Sequence, residues 1–432
     1  MSYNRDSPWT LYFLRMWCSE NLIYIDVDDV KLPRVILLRC LAVFGMTRGG
    51  EFVRLITVFS PDFSISKTLT PNQAGSIIMR YRRLGKTGLS LSEVGFGGIP
   101  MLRGNVEILP PYYNLTVEEA IAVMSIAYEN GINFYDTAVV PEYGDSEKKV
   151  GKFQKLRPDI IIASKARAFT GQDMKKAVEN SLRNLASDNC DIYFVHQTAP
   201  ENQKLVFHEG GSLDVLVDAK KRGLIKHTGI STHHYNVALR AAKDERVDVI
   251  QTCGNVLERG MLDRIEKEDA FNDVGIVICK VYAGGVLPAF FSISDLVDFP
   301  LSYPKISSAV VGMGKEEEVA AAVLREKETP ERMSIDDVMK KLNESYAFIP
   351  CIRCQKCDCS HGIEIDSAFR YHNYMGLGHT NWAINRLAEQ RQAHKNACND
   401  CEQMICKGTC GMGIDIPAKI EEILSGCSAF NQ

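Results

Sequence analysis

From Met79 onward, short apolar runs alternate with longer stretches whose apolar residues recur every three or four positions. The runs are SEVGFGGI (92–99), NFYDTA (133–138), DIIIASK (159–165), CDIYFVHQ (190–197), HTGIS (227–231), DVIQTCG (248–254), GIVICKV (275–281) and SSAVVGM (307–313). They are nearly continuous in apolar character, as expected of strands covered on both faces. The stretches between them read as helices. In TVEEAIAVMSIAYENG, Thr116 and Glu119 have capping-box spacing, Ala120, Met124, Ala127 and Tyr128 share a face, and Asn130-Gly131 marks the stop. Eight strand–helix repeats predict an α/β chain with a (β/α)8 barrel over residues 79–330. A doubly wound open sheet is the alternative. It is weaker because VGFGG lacks the GxGxxG turn that opens a helix in that fold.

The flanks differ from the barrel. Residues 1–78 mix apolar runs with Arg and show no sustained period. They are read as an irregular extension, either native or an upstream stretch included by a wrong start. Residues 331–432 open with a helical pattern, ERMSIDDVMKKLNESYA, capped by Ser334. Two cysteine crowds follow, CIRCQKCDC (351–359) and CNDCEQMICKGTC (398–410), with the helical WAINRLAEQRQAHKNA between them. A small second domain is expected here.

Composition narrows the setting. Of the 432 residues, 45% are hydrophobic and 24% charged, which is globular. A net charge of -4 gives no footprint for nucleic acid and no basic face for a membrane. The apolar stretch near residues 35–46 is broken by Arg39 and is too short to span a bilayer. The N-terminus lacks the ordered regions of a signal peptide, so a cytoplasmic location is expected. In that compartment thiols stay reduced, and clustered Cys-x-x-Cys favours metal over disulfides. Eight of the 14 cysteines sit in the two crowds. Cys190, Cys253 and Cys279 lie in strand-like runs and are read as core residues.

Chemistry in such a barrel sits at the C-terminal ends of its strands. The second run carries Asp136, the third ends in Lys165, the fourth carries His196, and Tyr143 lies on the loop after the second. Singly, each is often a cap or a surface pair; four unlike ionisable groups at one mouth point to a reaction. A carbonyl that accepts hydride becomes an alkoxide and needs a proton. Tyr143 can give one, Lys165 can lower the phenol pKa from its ordinary ~10, Asp136 can hold the ammonium, and His196 can orient the substrate oxygen.

The stretches LGKTGLSLSEVGFGG, NFYDTA, YGDSEKKVGK, IIASK, FVHQ, HTGIS, VIQTCGN and AVVGMGKEEEV resemble the aldo-keto reductase family in order and spacing, across residues 80–325. The resemblance implies a catalytic tetrad of Asp136, Tyr143, Lys165 and His196, with Tyr143 as general acid. It implies NADP(H) or NAD(H) bound without a Rossmann domain. Ser231 and Gln251 would meet the nicotinamide amide. Lys280, Gly284 and Gly285 would lie near the phosphates, and Gly312, Met313, Lys315 and Glu318 around the adenosine end. Glycine loops suit phosphates because no Cβ blocks the backbone amides. Three departures stand out. VVPE inserts about two residues between Asp136 and Tyr143 relative to the family pattern. The usual Ser-Asn pair reads Ser231-Thr232. The segment after Lys315 is acidic and lacks the Arg that a 2′-phosphate favours.

The cysteines admit zinc or iron–sulfur. Zinc wants four thiolates in a closed tetrahedral site. The ferredoxin pattern is C-x₂-C-x₂-C-x₃-C-P, with the fourth Cys serving the other cluster. The first crowd gives C-x₂-C-x₂-C and then Cys359 early; the second has an insertion before Cys406; Ser360 and Gly411 replace the Pro. Each crowd ends in G-I-x-I (Gly362–Ile365, Gly413–Ile416), similar to ferredoxins. Two [4Fe-4S] clusters are favoured over zinc. By crossover, Cys351, Cys354, Cys357 and Cys410 would hold one, and Cys398, Cys401, Cys406 and Cys359 the other. The whole then resembles the ferredoxin-tailed branch of the aldo-keto reductases, with a small ferredoxin-like domain after the barrel. The expectation is an oxidoreductase moving hydride between NAD(P)H and a carbonyl or alcohol, with an electron-transfer protein as a further partner. The alternative is an iron–sulfur electron-transfer or redox-sensing protein whose barrel binds nucleotide without reducing carbonyls. Residues 100–115, with Tyr112 and Tyr113, and residues 199–211 are candidate substrate loops.

Overall fold

A computed structural model describes residues 79–102, 113–324, 333–343, 348–376, 380–394, 397–398 and 401–426, with the backbone of four short strands before them. Two compact units divide the chain, Met1–Ala74 and Gly75–Gln432. In the first, β1 (Arg15–Ser19) pairs antiparallel with β2 (Leu22–Asp26), and β3 (Gly45–Met46) with β4 (Phe52–Val53). A stretch expected to be irregular thus holds two local pairings. Their strands are short and rich in residues that suit a pleated surface, such as Trp17, Ile23 and Tyr24, and leave no long-range period to read.

In the second unit, the hairpin β5 (Tyr81–Arg83) and β6 (Ser90–Ser92) precedes eight parallel strands. These are β7 (Val94–Gly97), β8 (Phe134–Asp136), β9 (Ile161–Ala166), β10 (Cys190–Val195), β11 (Ile225–Ser231), β12 (Val249–Cys253), β13 (Gly275–Cys279) and β14 (Ser308–Gly312). Each pairs with the next, and β14 returns to β7, so the sheet closes into a barrel. All eight apolar runs became strands, and the doubly wound alternative is set aside by this closure. The capping box formed as expected: the Glu119 N–H donates to the Thr116 hydroxyl, and the Thr116 N–H to the Glu119 carboxylate. Gly131, at φ 89°, takes the left-handed turn that ends that helix.

Strand alternation sorts the side chains. Phe134, Ala163, Ile192, Phe194, Val249, Val277 and Val310 fill the lumen, joined from below by Leu84 and Leu91 at the hairpin. Their neighbours along the strands, such as Tyr135, Tyr193, Ile250 and Ile276, face the helices in a second, larger core. Large and small residues interlock inside the lumen. Phe194 lies opposite Gly229, where a Cβ would sit 2.2 Å from its ring. The next inward positions toward the strand C-termini are polar: Asp136, Lys165, His196, Ser231 and Gln251. The lumen below is filled by apolar side chains, so polar chemistry is confined to the mouth.

The tail belongs to the same compact unit as the barrel. Its described elements are helices, Ile335–Asn343, Ile365–Gly376, Thr380–Ala393 and Ile416–Gly426, and no strand occurs among its described residues. Ser334 caps the first, accepting the Asp337 N–H at 3.1 Å. The second and fourth helices each begin on the last Ile of a G-I-x-I run. The tail docks on the loops after β11 and β12. The Gly260 N–H donates to the Ile352 carbonyl at 2.6 Å, and a Cβ at Gly260 would meet the Cys354 backbone at 2.6 Å. Gln355 accepts the Tyr235 N–H at 2.7 Å and donates to the His233 carbonyl at 2.6 Å. Arg264 donates to the Cys354 carbonyl and lies 3.3 Å from the centre of the Tyr235 ring.

Glu258 is the centre of this contact. It is 3% exposed and receives Arg353 at 2.9 Å, Arg370 at 3.0 Å and the Tyr374 hydroxyl at 2.8 Å. Burial pushes its carboxyl upward, but Arg370 and Arg353 outweigh that and hold it at about 2. Replacing it leaves two guanidinium groups buried with one anchor fewer. We expect Glu258→Ala to destabilise the unit by about 3–5 kcal/mol. The test is urea unfolding with hydrogen exchange over residues 348–376; an unchanged midpoint with unchanged exchange removes the anchor.

Candidate active site

The barrel brings Asp136, Lys165 and His196 to one mouth because each is the inward residue at the top of its strand. The Lys165 ammonium donates to Asp136 Oδ2 at 2.6 Å and to the Thr137 carbonyl at 2.8 Å. Gln251 Nε2 donates to the other carboxylate oxygen, Oδ1, at 3.0 Å. Burial pulls Lys165 downward, but Asp136 and Tyr143 outweigh it, and its pKa is raised, so it stays an ammonium.

Tyr143 closes a 3₁₀ turn, Pro141–Tyr143, that includes the last residues of VVPE. Gly144 follows at φ 49°, a conformation that suits glycine. The turn is latched to β9 from outside: Arg167 donates to Glu142 at 2.5 Å and to Gln197 at 2.9 Å. Tyr143 thereby lies beside Lys165, whose ammonium is 4.9 Å from its ring centre. Burial acts on the phenol more strongly than Lys165, which lowers its pKa in the expected direction. Burial pushes the phenol up to about 12, and Lys165 only partly offsets it. Tyr143 is therefore a firmly protonated acid.

His196 is 7% exposed, and its Nδ1 lies 3.3 Å from the Ser231 hydroxyl. Burial, with Lys165 next, holds its pKa well below the usual range, so it is a neutral imidazole. Ser231 and Gln251, expected at the nicotinamide, are both buried at the mouth beside the tetrad. Lys280 is half-buried and left-handed at φ 59°; burial and then Arg370 lower its pKa. Gly284 and Gly285 are exposed on the next turn at φ 75° and 94°, and a Cβ at Gly285 would meet open space. Met313 is buried, Gly312 is half-buried, and exposed Lys315 begins the helix Glu316–Val323. Glu318 turns back to accept the Gly314 N–H at 2.7 Å and the Tyr113 hydroxyl. Tyr113 thus packs beside the expected adenosine end. Tyr112 and most of the 100–115 loop lie outside the described residues.

These residues fit a nicotinamide dinucleotide unevenly. An amide and a hydroxyl stand at the tetrad, and a half-buried cation and open glycines stand one turn away. At the far end the helix N-terminus is met by its own Glu318. Sequence reasoning missed the latch of Glu142, Arg167 and Gln197, and it missed the Glu258 network. It also read Cys279 as core, whereas Cys279 is half-buried beside the tetrad and acts electrostatically on Lys165 and Tyr143. Its place two residues after Val277, on the inward face, was the available signal.

The tail thiols gather in two neighbourhoods. Cys357 lies within electrostatic reach of Cys354 and Cys410, and Cys351 within reach of Cys357. Cys398 is in reach of Cys359, Cys406 and Cys401. All eight are half-buried free thiols. The Met404 N–H donates to Cys401 Sγ at 3.3 Å, and the Ser360 hydroxyl lies 3.5 Å from it. No group of three or more His, Cys, Asp or Glu among the described residues is arranged to hold a metal ion as the side chains stand. None of the helices there is long and apolar enough to cross a membrane.

Comparison with known proteins agrees with the barrel. Residues 104–302 match the Aldo/keto reductase family. The chain is 25% identical over 234 residues to a D-threo-aldose 1-dehydrogenase of a Pseudomonas species, covering 46% of this chain and 68% of that protein. It is 32% identical over 185 residues to an L-galactose dehydrogenase of Arabidopsis thaliana, covering 40% and 55%. Among solved structures, the aldo-keto reductase AKR11C1 of Bacillus halodurans in its holo form is 22% identical, with a TM-score of 0.49 over 64% of this chain and 99% of that one. Residues 104–302 are thus similar to the Aldo/keto reductase family, and the relatives are dehydrogenases and oxidoreductases, which supports an NAD(P)-dependent oxidoreductase. The tail lies outside the family match.

Two neutral histidines at the mouth have a consequence for stability. His233 is held at about 4 by burial, and His196 is also lowered. Below about 6.5 the unfolded chain takes up protons that the folded chain refuses. Stability is therefore full above that pH and falls as pH drops toward the folded values, by up to about 1.4 kcal/mol per pH unit for each histidine. Urea midpoints between pH 7 and 5 check this, and His196→Asn should flatten part of the slope.

Proposed function

We propose that the chain transfers hydride between NAD(P)H and a carbonyl or alcohol, with Tyr143 as general acid, and that its tail holds two [4Fe-4S] clusters. The buried Asp136–Lys165 pair directed at Tyr143 carries the first part. The dinucleotide, when bound, supplies the hydride. Tyr143 Oη gives its proton to the oxygen of the reduced carbonyl. Lys165 steadies the phenolate left behind, and Asp136 with Gln251 keeps that ammonium in place. The neutral imidazole of His196 orients the substrate oxygen from the opposite side. In the reverse direction Tyr143 must first lose its proton, and its raised pKa favours reduction near neutral pH. The acidic stretch after Lys315 gives no strong reason to prefer a 2′-phosphate, so both nucleotides are retained.

For the tail, the two thiol neighbourhoods coincide with the crossover sets, and donors approach the Cys401 sulfur. Cys351, Cys354, Cys357 and Cys410 would hold one cluster and Cys359, Cys398, Cys401 and Cys406 the other. A single zinc, with Zn–S of about 2.3 Å, draws its thiolates to about 3.8 Å from one another. A cubane holds them apart around four irons and four sulfides, which suits thiols gathered without a tight single-ion site. The clusters supply one-electron transfer when present. An electron-transfer protein that docks at the tail is the corresponding partner.

Two measurements test this. With NADPH and an aromatic aldehyde such as 4-nitrobenzaldehyde, Tyr143→Phe is expected to lower kcat by about 10²–10⁴-fold at unchanged nucleotide affinity. Unchanged turnover would remove Tyr143 as the acid, and no turnover by the unaltered chain would leave the nucleotide-binding, redox-sensing alternative. Chain prepared without oxygen should hold about eight iron and about eight sulfide; zinc without sulfide refutes the clusters and leaves the barrel chemistry standing.

A further inference from the structure

Beside the tetrad, two thiols face each other that the hydride chemistry does not use. Cys253 and Cys279 are register partners at the C-terminal ends of β12 and β13. Both are inward positions, two residues beyond Gln251 and Val277 respectively, so both point into the mouth. Their sulfurs are 3.9 Å apart. Adjacent strands lie about 4.8 Å apart, within the roughly 4.4–6.8 Å over which Cα atoms are bridged by a disulfide. Bond formation therefore needs the two sulfurs to close from 3.9 Å to about 2.05 Å.

The surroundings favour ionisation of this pair. The His233 imidazole and the Lys280 ammonium act electrostatically on Cys253, and Lys280 acts on Cys279 as well. Arg353 and Arg370, brought in by the docked tail, add positive potential at Cys253. Burial opposes ionisation of Cys253, but the hydrogen bond shared with Cys279, with His233 and Lys280 after it, outweighs burial and lowers the Cys253 thiol, and the same bond and burial hold the proton on Cys279. Cys190 is the contrast: it is also buried in a strand, but burial pushes its thiol upward and no cation relieves it. Cys279 is half-buried at the mouth, so a small solute that enters the substrate opening reaches the pair.

We propose that Cys253 and Cys279 form a redox-active dithiol that takes hydroperoxides, with Cys253 as the attacking sulfur and Cys279 as the resolving one. The Cys253 thiolate attacks one peroxide oxygen, the O–O bond breaks, and the other oxygen leaves as hydroxide or alkoxide and is protonated. Cys253 is now a sulfenic acid. Cys279 gives up its proton as its sulfur attacks Cys253, the S–O bond breaks, and the oxygen departs as water. Two thiols have lost two electrons and two protons; with hydrogen peroxide the products are one disulfide and two waters. The bond would lie against Lys280 and beside Lys165 and Tyr143, so the oxidation state of the mouth would bear directly on the hydride site.

The test uses full-length chain prepared without oxygen and treated with equimolar hydrogen peroxide. Alkylation and site-resolved peptide mass spectrometry at timed intervals follow each thiol separately, including those of the tail. The expected result is a Cys253–Cys279 cross-linked peptide, reversed by dithiothreitol, forming roughly tenfold or more faster than any oxidation of Cys190. In Cys279→Ser the same treatment should leave Cys253 as a sulfenic acid that dimedone captures. If both cysteines of the wild-type chain alkylate as fully as Cys190 after peroxide, the dithiol does not exist. A Cys279→Ser chain whose Cys253 takes up no dimedone overturns the assignment of the attacking sulfur.

Discussion

The ion pair between Asp136 and Lys165 constrains everything at the mouth of the barrel. Two charges buried in the lumen are tolerable only when paired and otherwise hydrogen-bonded. Here Gln251 and the Thr137 carbonyl complete the set. The pair also fixes register. A slip of one residue between β8 and β9 would turn a charge toward the helices, into the larger apolar core. The same residues therefore hold the strand alignment and prepare the proton donor, and neither role can be altered alone.

Around that pair the mouth gathers further cations, the two arginines among them paired with Glu258. Lys165 and Lys280 approach from the barrel, and Arg353 and Arg370 arrive with the tail. Burial first, and this field after it, keep His196 and His233 neutral, and the field suits anionic groups brought in by a ligand. Burial likewise favours the neutral form of Tyr143, whose proton is held until a reacting oxygen becomes basic enough to take it.

Much of this was legible in the sequence because strand alternation is simple. Eight apolar runs gave eight strands, and the polar residue at the end of each run gave Asp136, Lys165 and His196. The Thr116 capping box and the Ser334 cap were equally plain, since both are local. What escaped reading was long-range. Nothing near Glu258 announces Arg353 and Arg370, which come from far along the chain. The pKa of Tyr143 depends on how the mouth packs around it, which spacing does not reveal. Cys253 and Cys279 were hidden by their own chemistry, because a thiol in an apolar strand looks like any small core residue until its neighbour across the sheet is known.

The position of Glu258 also orders the making of the molecule. It lies 95 residues before Arg353, so a chain emerging from the ribosome presents the barrel loop long before its counter-ions. Until the tail arrives, that carboxylate has to stay hydrated, and the loops after β11 and β12 lack their final support. The tail brings Arg353 from within its first cysteine crowd, so seating that crowd and finishing the mouth are one event. A chain whose cysteines were held in some other arrangement would carry a barrel with an unfinished rim. Maturation of the tail would thus act as a checkpoint on the competence of the pocket.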